Sequence, residues 1–187
     1  MTTEAPEAAP GAALEAAYEP HATVAALTRY FMHMTPGDMA SVRRSPDLTT
    51  AFFRVGEDVL QPRGMLAGGA LGVSEQERRW AHAVHLTARL HAAGLCSLRR
   101  RAGEALAEFL SEMRLNRLLE VRGEPLRVEV RRVVGHAISA RAALHPADLA
   151  DLILGEGTDR HDTSRTRLAR DYVRGVHNAT KTRRGAP

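Results

Sequence analysis

Hydrophobic side chains recur at three- and four-residue spacing along most of this chain. Val24, Leu27 and Phe31 follow this spacing, and the Thr-Pro-Gly at 35–37 then ends the segment. The same period continues through the later segments, and no stretch shows the two-residue alternation of a half-buried strand. The pattern predicts an all-α protein, a helical bundle of about seven to nine helices arranged as one body or as two small lobes.

Local capping and breaking signals mark the ends of the predicted helices. Ser45 or Asp47 is expected to cap the third helix, and the glycine-rich stretch 64–72 is expected to form a loop. Ser74 and Glu77 have the spacing of a capping box, which predicts a long helix through about residue 93. The other predicted helices cover residues 37–44, 48–60, 106–119 with or without a break, 126–138 and 147–154, and the last begins at about residue 164.

The long helix after Ser74 is predicted to be amphipathic. Its packing face carries Trp80 and Val84 together with small side chains. Its opposite face is expected to be cationic and solvated, and it carries Arg78, His82, His85 and Arg89.

The two ends of the chain differ in composition from its middle. Residues 1–20 are dominated by Ala, Glu and Pro, which predicts a flexible N-terminal extension. Residues 21–178 are expected to form the helical domain, and residues 179–187 a basic C-terminal tail.

The charge composition allows two interpretations. The formal net charge is +4, and Lys181 is the only lysine among 26 basic residues. A GC-rich genome would favour arginine codons without any functional reason. Alternatively, the chain binds a polyanion, because the forked donors of arginine match phosphate oxygens.

Cysteine content and hydropathy indicate the compartment. Cys96 is the only cysteine, so the chain has neither an intrachain disulfide nor a cysteine-rich metal site. The N-terminus lacks the pattern of a signal peptide, and no apolar run approaches the roughly 20 residues of a membrane span. We therefore expect a cytoplasmic protein with no membrane partner.

No motif in the sequence supports catalysis or metal binding. His82 and His85 lie one helical turn apart, but no carboxylate completes a metal site at ligand spacing. Asp159, His161 and Asp162 could serve a metal-dependent nuclease, yet a polar loop at 155–162 before a helix uses such residues for capping. We expect no enzyme activity, no metal and no other cofactor.

Basic side chains, in contrast, recur on several predicted helices. Together they favour a shared surface for a phosphate backbone, with sequence-independent contacts because the few aromatic residues are needed for packing. The groups are Arg43-Arg44, Arg99 to Arg101, Arg131-Arg132, the series Arg165, Arg167, Arg170 and Arg174, and Lys181, Arg183 and Arg184.

Five stretches, in order along the chain, resemble the CasB-type small subunit of the type I-E CRISPR complex Cascade. The first, at 37–44, has the form Gly-acidic-x-Ala-x-apolar-Arg-Arg, and the third, at 111–119, has the form Ser-Glu-Met-Arg-x-x-Arg-Leu-Leu. The other three lie at 102–106, 130–134 and 168–172. The similarity covers about residues 22 to 176.

The resemblance implies an all-helical subunit that is present in two copies. It would pack against a second copy of itself, the crRNA-binding backbone subunit and the large subunit, and would hold the displaced non-target single-stranded DNA of the R-loop. The candidate nucleic-acid contacts are Arg43 and Arg44 from the first motif, Arg114 and Arg117 from the third, Arg122, Arg165 and Arg167 from a rough alignment, and Arg100 and Arg170 from the basic groups. In an alternative hypothesis the protein is a helical adaptor whose arginines contact acidic partner subunits.

Overall fold

The computed structural model describes residues 20–66 and 74–184. Within these ranges the chain forms α-helices and no β-strand, only an isolated parallel bridge between Cys96 and Leu144, which confirms the all-α class. The helices are α1 (Pro20–Phe31), α2 (Pro36–Arg44), α3 (Thr50–Val55), α4 (Glu75–Ala92), α5 (Ala102–Leu106), α6 (Glu112–Glu120), α7 (Gly123–Ser139), α8 (Pro146–Leu154) and α9 (Asp159–Arg184). Residues 1–19 of the predicted extension 1–20 and most of the predicted loop 64–72 lie outside the described residues, and Pro20 already belongs to α1.

Helices α4 and α8 hold the two halves of the molecule together. One core cluster fills the space between α1–α3 and these two helices, and a second fills the space between them and α5–α7 with α9. Trp80 on α4 belongs to the first cluster and Leu86, six residues later, to the second. The two clusters therefore share their central helices.

The burial of α4 contradicts the prediction that one of its faces is solvated. It packs against α1, α2, α7 and α8, and His82 and His85 are only 8% and 4% exposed. Arg78 is exposed, as predicted. The error arises because the histidine face is polar in sequence but is covered by α2 and α7.

Several predicted helix boundaries also shift. The cap of α3 is Thr49, whose hydroxyl accepts the Phe52 N–H at 3.2 Å, and neither Ser45 nor Asp47 has this role. A π-helical turn (Gly56–Leu60) and a 3-10 turn (Gln61–Arg63) follow α3. The predicted segment 106–119 is broken between α5 and α6.

The last helix is longer than predicted at both ends. It begins at Asp159, so residues 159–162 form its first turn and are not a loop. It continues through Arg184, so residues 179–184 of the predicted basic tail are helical.

Helices α5 and α9 approach closely at two glycines. A Cβ atom at Gly103 would lie 2.5 Å from the Leu168 carbonyl oxygen, and one at Gly175 would lie 2.9 Å from the Glu104 carbonyl oxygen. Tyr172 strengthens this contact, because its hydroxyl donates a 2.8 Å hydrogen bond to the Leu110 carbonyl. This contact fixes α9, and with it the arginine series on that helix.

The capping box at the start of α4 is confirmed, and it supports a first prediction. The Ser74 hydroxyl accepts the Glu77 N–H at 3.1 Å, and the Glu77 carboxylate accepts the Ser74 N–H at 2.7 Å. Replacement of Ser74 by Ala is expected to lower the free energy of unfolding by about 1 kcal/mol, since an N-terminal N–H of the helix loses its partner. Urea denaturation followed by circular dichroism measures this change.

The matched control for this prediction is Ser111→Ala. Ser111 is the N-cap of α6, but its side chain makes no capping hydrogen bond. We expect a change of less than about 0.5 kcal/mol there. Equal losses of unfolding free energy at the two serines would contradict a stabilising contribution of the capping box.

Candidate nucleic-acid interface

The structure divides the predicted arginine contacts into two groups. Those of the first group are exposed, with no carboxylate within 4.0 Å among the described residues, and they are Arg43, Arg44, Arg114 and Arg170. Those of the second group contact other residues of the chain, and they are Arg100, Arg117, Arg122, Arg165 and Arg167. Only the first group has free guanidinium groups.

Arg43 and Arg44 are held outward by the residue before them. Val42 is buried at 3% exposure, and its carbonyl oxygen accepts a 2.9 Å hydrogen bond from Nδ1 of His85 on α4. Burial lowers the pKa of His85, although this hydrogen bond partly opposes the shift. The two arginines therefore project into solvent in the last turn of α2, where the helix dipole favours a positive charge.

Helix α6 presents Arg114 and Arg117 differently. Its apolar stripe, Leu115 and Leu118, faces the core, so both arginines are exposed. Arg117 lies 2.9 Å from the Glu129 carboxylate on α7, whereas Arg114 has no such partner among the described residues. Arg114 is thus the better candidate for an external contact.

Arg122 and Arg165 meet at one carboxylate and have structural roles. Arg122 Nη1 donates hydrogen bonds to three carbonyl groups at the end of α6, at 2.9–3.0 Å. Its Nη2 lies 4.0 Å from Asp162, and Arg165 lies 3.3 Å from the same carboxylate. These contacts join the end of α6 to the start of α9.

Arg167 is part of a cluster of charged residues under α8. It lies 2.7 Å from the Asp151 carboxylate and 3.5 Å from that of Asp148. His21 on α1 lies 3.2 Å from Asp151. Burial would raise the pKa of the Asp151 carboxyl, but the hydrogen bonds from His21 and Arg167 lower it below its usual value. Arg167 therefore connects helices within the fold.

Arg100 and Arg170 complete the predicted set. Arg100 forms an ion pair with Glu108. Arg170 lies on α9 beside a shallow groove that Arg174 also lines, and Arg174 is 3.4 Å from Asp171. Arg170 therefore has no ion pair with any residue that the structure describes.

The residues considered for a nuclease do not form an open site. His161 is 4% exposed, and its Nδ1 lies 3.0 Å from the Leu152 carbonyl oxygen. Asp162 faces Arg165, and burial places His161 away from solvent. Asp159 and Asp162 instead lie in the first turn of α9, where the helix dipole favours a negative charge.

A different group of residues has the spacing of metal ligands. Ligand atoms of His21, His145 and Asp148 all lie within 4.8 Å of one another. However, His145 Nδ1 already accepts the Ala147 N–H at 3.2 Å, and the Arg167 guanidinium lies beside the Asp148 carboxylate. His82 and His85, which were judged from the sequence not to form a metal site, are not in such a group among the described residues, and Nδ1 of His85 is hydrogen-bonded to the Val42 carbonyl oxygen.

A cationic pocket of about 440 Å³ lies outside the candidate sites predicted from the sequence. The loop of residues 45–48 forms one wall, α4 contributes Arg78 and His82, and α7 contributes Arg127 and Arg131. Arg43 and Arg44 immediately precede the loop. The only sequence signals were the basic pair at 131–132 and Arg78, and neither shows that α4 and α7 face each other.

The fold and its surface together define the class as an all-helical protein that exposes free arginines on α2, α6 and α9. No protein-family model and no curated protein sequence matches the chain. Its fold is similar to that of a chain in the crystal structure of Escherichia coli Cascade bound to a PAM-containing double-stranded DNA target. The TM-score is 0.56 at 20% sequence identity, and the match covers 82% of this chain and 95% of that chain.

Proposed function

We propose that this protein is the non-catalytic small subunit of a type I-E CRISPR surveillance complex, and that it stabilises the R-loop by contacting the displaced non-target strand. The observation that carries the proposal is the fold similarity to a chain of DNA-bound Cascade, which extends over 95% of that chain. The five motif stretches of the CasB type point to the same family independently of the fold.

The free arginines supply a physical basis for the strand contact. Formation of an R-loop is nearly balanced in free energy, so a few contacts to the phosphate backbone can shift it. Arg43, Arg44, Arg114 and Arg170 are exposed and carry no ion pair among the described residues. A phosphate can approach them without first breaking an internal salt bridge.

The proposal that the protein is non-catalytic is supported by the pairing of its acidic residues with arginines. Asp148 and Asp151 are buried with Arg167, and Asp162 faces Arg165. Carboxylates with these partners are not arranged to hold two metal ions for phosphoryl transfer. We expect no divalent-ion-dependent cleavage of DNA by the purified protein, before or after Asp162→Ala.

A direct test is the binding of a fluorescein-labelled single-stranded oligonucleotide of mixed sequence, measured by fluorescence anisotropy at several salt concentrations. In the free-arginine variant Arg43, Arg44, Arg114 and Arg170 are all replaced by Gln. We expect its affinity to fall at least about tenfold at moderate salt, because up to four phosphate contacts are lost. The slope of log K against log salt should fall by up to about 3, since each contact to a single strand contributes about 0.7.

The control variant has the same loss of charge but removes paired arginines. Arg54, Arg100, Arg117 and Arg132 each lie beside a carboxylate and are partly or fully exposed. Their joint replacement by Gln should change the affinity less than about threefold. Equal losses in the two variants would mean that only the overall charge matters, and no loss in either would contradict the strand contact.

Measurements on the assembled complex distinguish the adaptor hypothesis from the strand contact. It draws support from an apolar groove between α6 and α9, lined by Leu115 and by the exposed Val173 and Val176. If R-loop lifetime is unchanged by the free-arginine variant and cross-links from α2 and α9 reach only protein, the adaptor function is the correct one.

A further inference from the structure

The pocket between the 45–48 loop, α4 and α7 joins three parts of the chain that are distant in sequence. Its volume is about 440 Å³, and its lining begins at Ser45, the residue that follows the exposed pair Arg43 and Arg44. A phosphate group with an attached sugar fits in this volume. The free arginines of α2 are therefore adjacent in the chain to one wall of the pocket.

His82 contributes a polar group that the fold leaves without a partner. The residue is 8% exposed and lines the pocket, yet its buried Nδ1 has no hydrogen-bond partner among the described residues. Burial, followed by the charges of Arg127 and Arg131, lowers the pKa of His82 to about 4. At neutral pH its ring is uncharged and can present an N–H group to an anion.

The arginines of the pocket are anchored but not fully neutralised. Arg131 lies 3.7 Å and Arg127 lies 3.6 Å from the Glu124 carboxylate, so one carboxylate serves two guanidinium groups. Arg127 also pairs with Glu75, which Arg79 shares. Arg78 has no carboxylate within 4.0 Å among the described residues.

The charge count of the lining favours a monoanion. Arg78, Arg127 and Arg131 face two lining carboxylates, Asp47 and Glu124, which leaves one positive charge. A phosphodiester carries one negative charge and has oxygens that match guanidinium donors. An organic cation would be repelled by the three guanidinium groups. An apolar ligand would displace water from these groups without replacing its hydrogen bonds.

We propose that this pocket is a phosphate site, in which Arg78 and Arg131 bind the phosphate oxygens and Arg127 and His82 form the floor. The assignment of the phosphate to a nucleic-acid strand rests on the proposed function. A free phosphorylated molecule has the same recognition chemistry, and the experiment separates the two sources.

The first arm titrates inorganic phosphate into the wild-type protein labelled with ¹⁵N-histidine, at constant ionic strength set with sodium chloride. We expect the ring ¹⁵N signals of His82, assigned with His82→Gln, to move in a saturable manner. The signals of His85 are the internal control, because that ring is buried and bonded to Val42, outside the pocket. An unchanged His82 up to high millimolar phosphate would overturn the proposal.

The second arm measures single-stranded oligonucleotide affinity of the pocket variant R78Q/R131Q against the control R54Q/R132Q. Arg54 and Arg132 are paired surface residues, 58% exposed each, so both variants lose two charges. We expect the pocket variant to lose about tenfold in affinity and the control less than about twofold. The pocket variant should also abolish the phosphate-induced shift of His82.

The outcomes distinguish this inference from the proposed function. If the pocket variant binds the strand like its control while the free-arginine variant does not, the pocket does not hold a phosphate of the strand and the proposed function stands. If phosphate moves His82 but wild-type protein binds no strand, the site takes a free phosphorylated molecule and the proposed strand contact is wrong.

Discussion

Replacement of Gly103 by Ala is expected to lower the free energy of unfolding by about 1–2 kcal/mol. The new Cβ atom would lie 2.5 Å from the Leu168 carbonyl oxygen and 2.9 Å from the Tyr172 backbone nitrogen, both in α9. Because these are backbone atoms, α9 must move as a body, and overpacking of this kind costs about 1–3 kcal/mol or more. That cost exceeds the roughly 1 kcal/mol that Ala gains over Gly inside a helix.

Urea denaturation of Gly103→Ala and of Gly37→Ala tests this prediction with a matched pair. Gly37 lies in the first turn of α2, and a Cβ atom there has no other heavy atom within 4 Å. We expect its replacement to leave the stability unchanged or raise it by up to about 1 kcal/mol. If Gly103→Ala were as stable as Gly37→Ala, the close approach of α5 and α9 would be wrong.

The second large effect is the loss of stability that we expect between pH 6.5 and pH 4. His82 has its pKa lowered from 6.5 to about 4 by burial and by Arg127 and Arg131. In this range the unfolded chain binds a proton at this side chain and the folded chain does not. The free energy of unfolding should therefore fall by about 1.4 kcal/mol per pH unit from His82, about 3 kcal/mol in all.

The slope of the unfolding free energy against pH, compared between the wild type and single variants, separates the contribution of His82 from those of the other histidines. His85 and His145 also have lowered pKa values because of burial, so the wild-type slope contains the contributions of all three histidines. In phosphate-free buffer, His82→Gln should reduce the slope between pH 5 and pH 6 by about 1.4 kcal/mol per unit. Replacement of the exposed His136 by Gln is the control, and it should leave the slope close to that of the wild type. An unchanged slope in His82→Gln would show that this ring is not buried as described.

How far the sequence predicts the fold depends on the range of the interactions involved. The capping box of Ser74 and Glu77 acts over three residues, so its spacing in the chain was enough to predict the start of α4. The cap at Thr49 was missed because Ser45 and Asp47 have equally suitable side chains. The start of α9 was missed because the charged residues 159–162 resemble a polar loop.

The candidate interface could be predicted from the sequence less well than the helices could. The arginines were all visible in the sequence, and the motifs, a rough alignment and the basic groups together selected nine of them. Whether each guanidinium group is free or paired depends on carboxylates that are distant in the sequence. Glu129 lies 2.9 Å from Arg117, and Asp151 lies 2.7 Å from Arg167. Sequence separation says nothing about such pairs, so structural and available arginines could not be distinguished.

The sequence by itself determined that this chain is helical, where most of its helices lie and that its basic residues are arginines. Helical periodicity and capping are local, and they depend only on neighbouring residues. Only the tertiary structure decided that His82 and His85 are buried, and that Arg43, Arg44, Arg114 and Arg170 are free. Burial and ion pairing depend on which helices pack together, and here α4 is surrounded by helices from both halves of the chain.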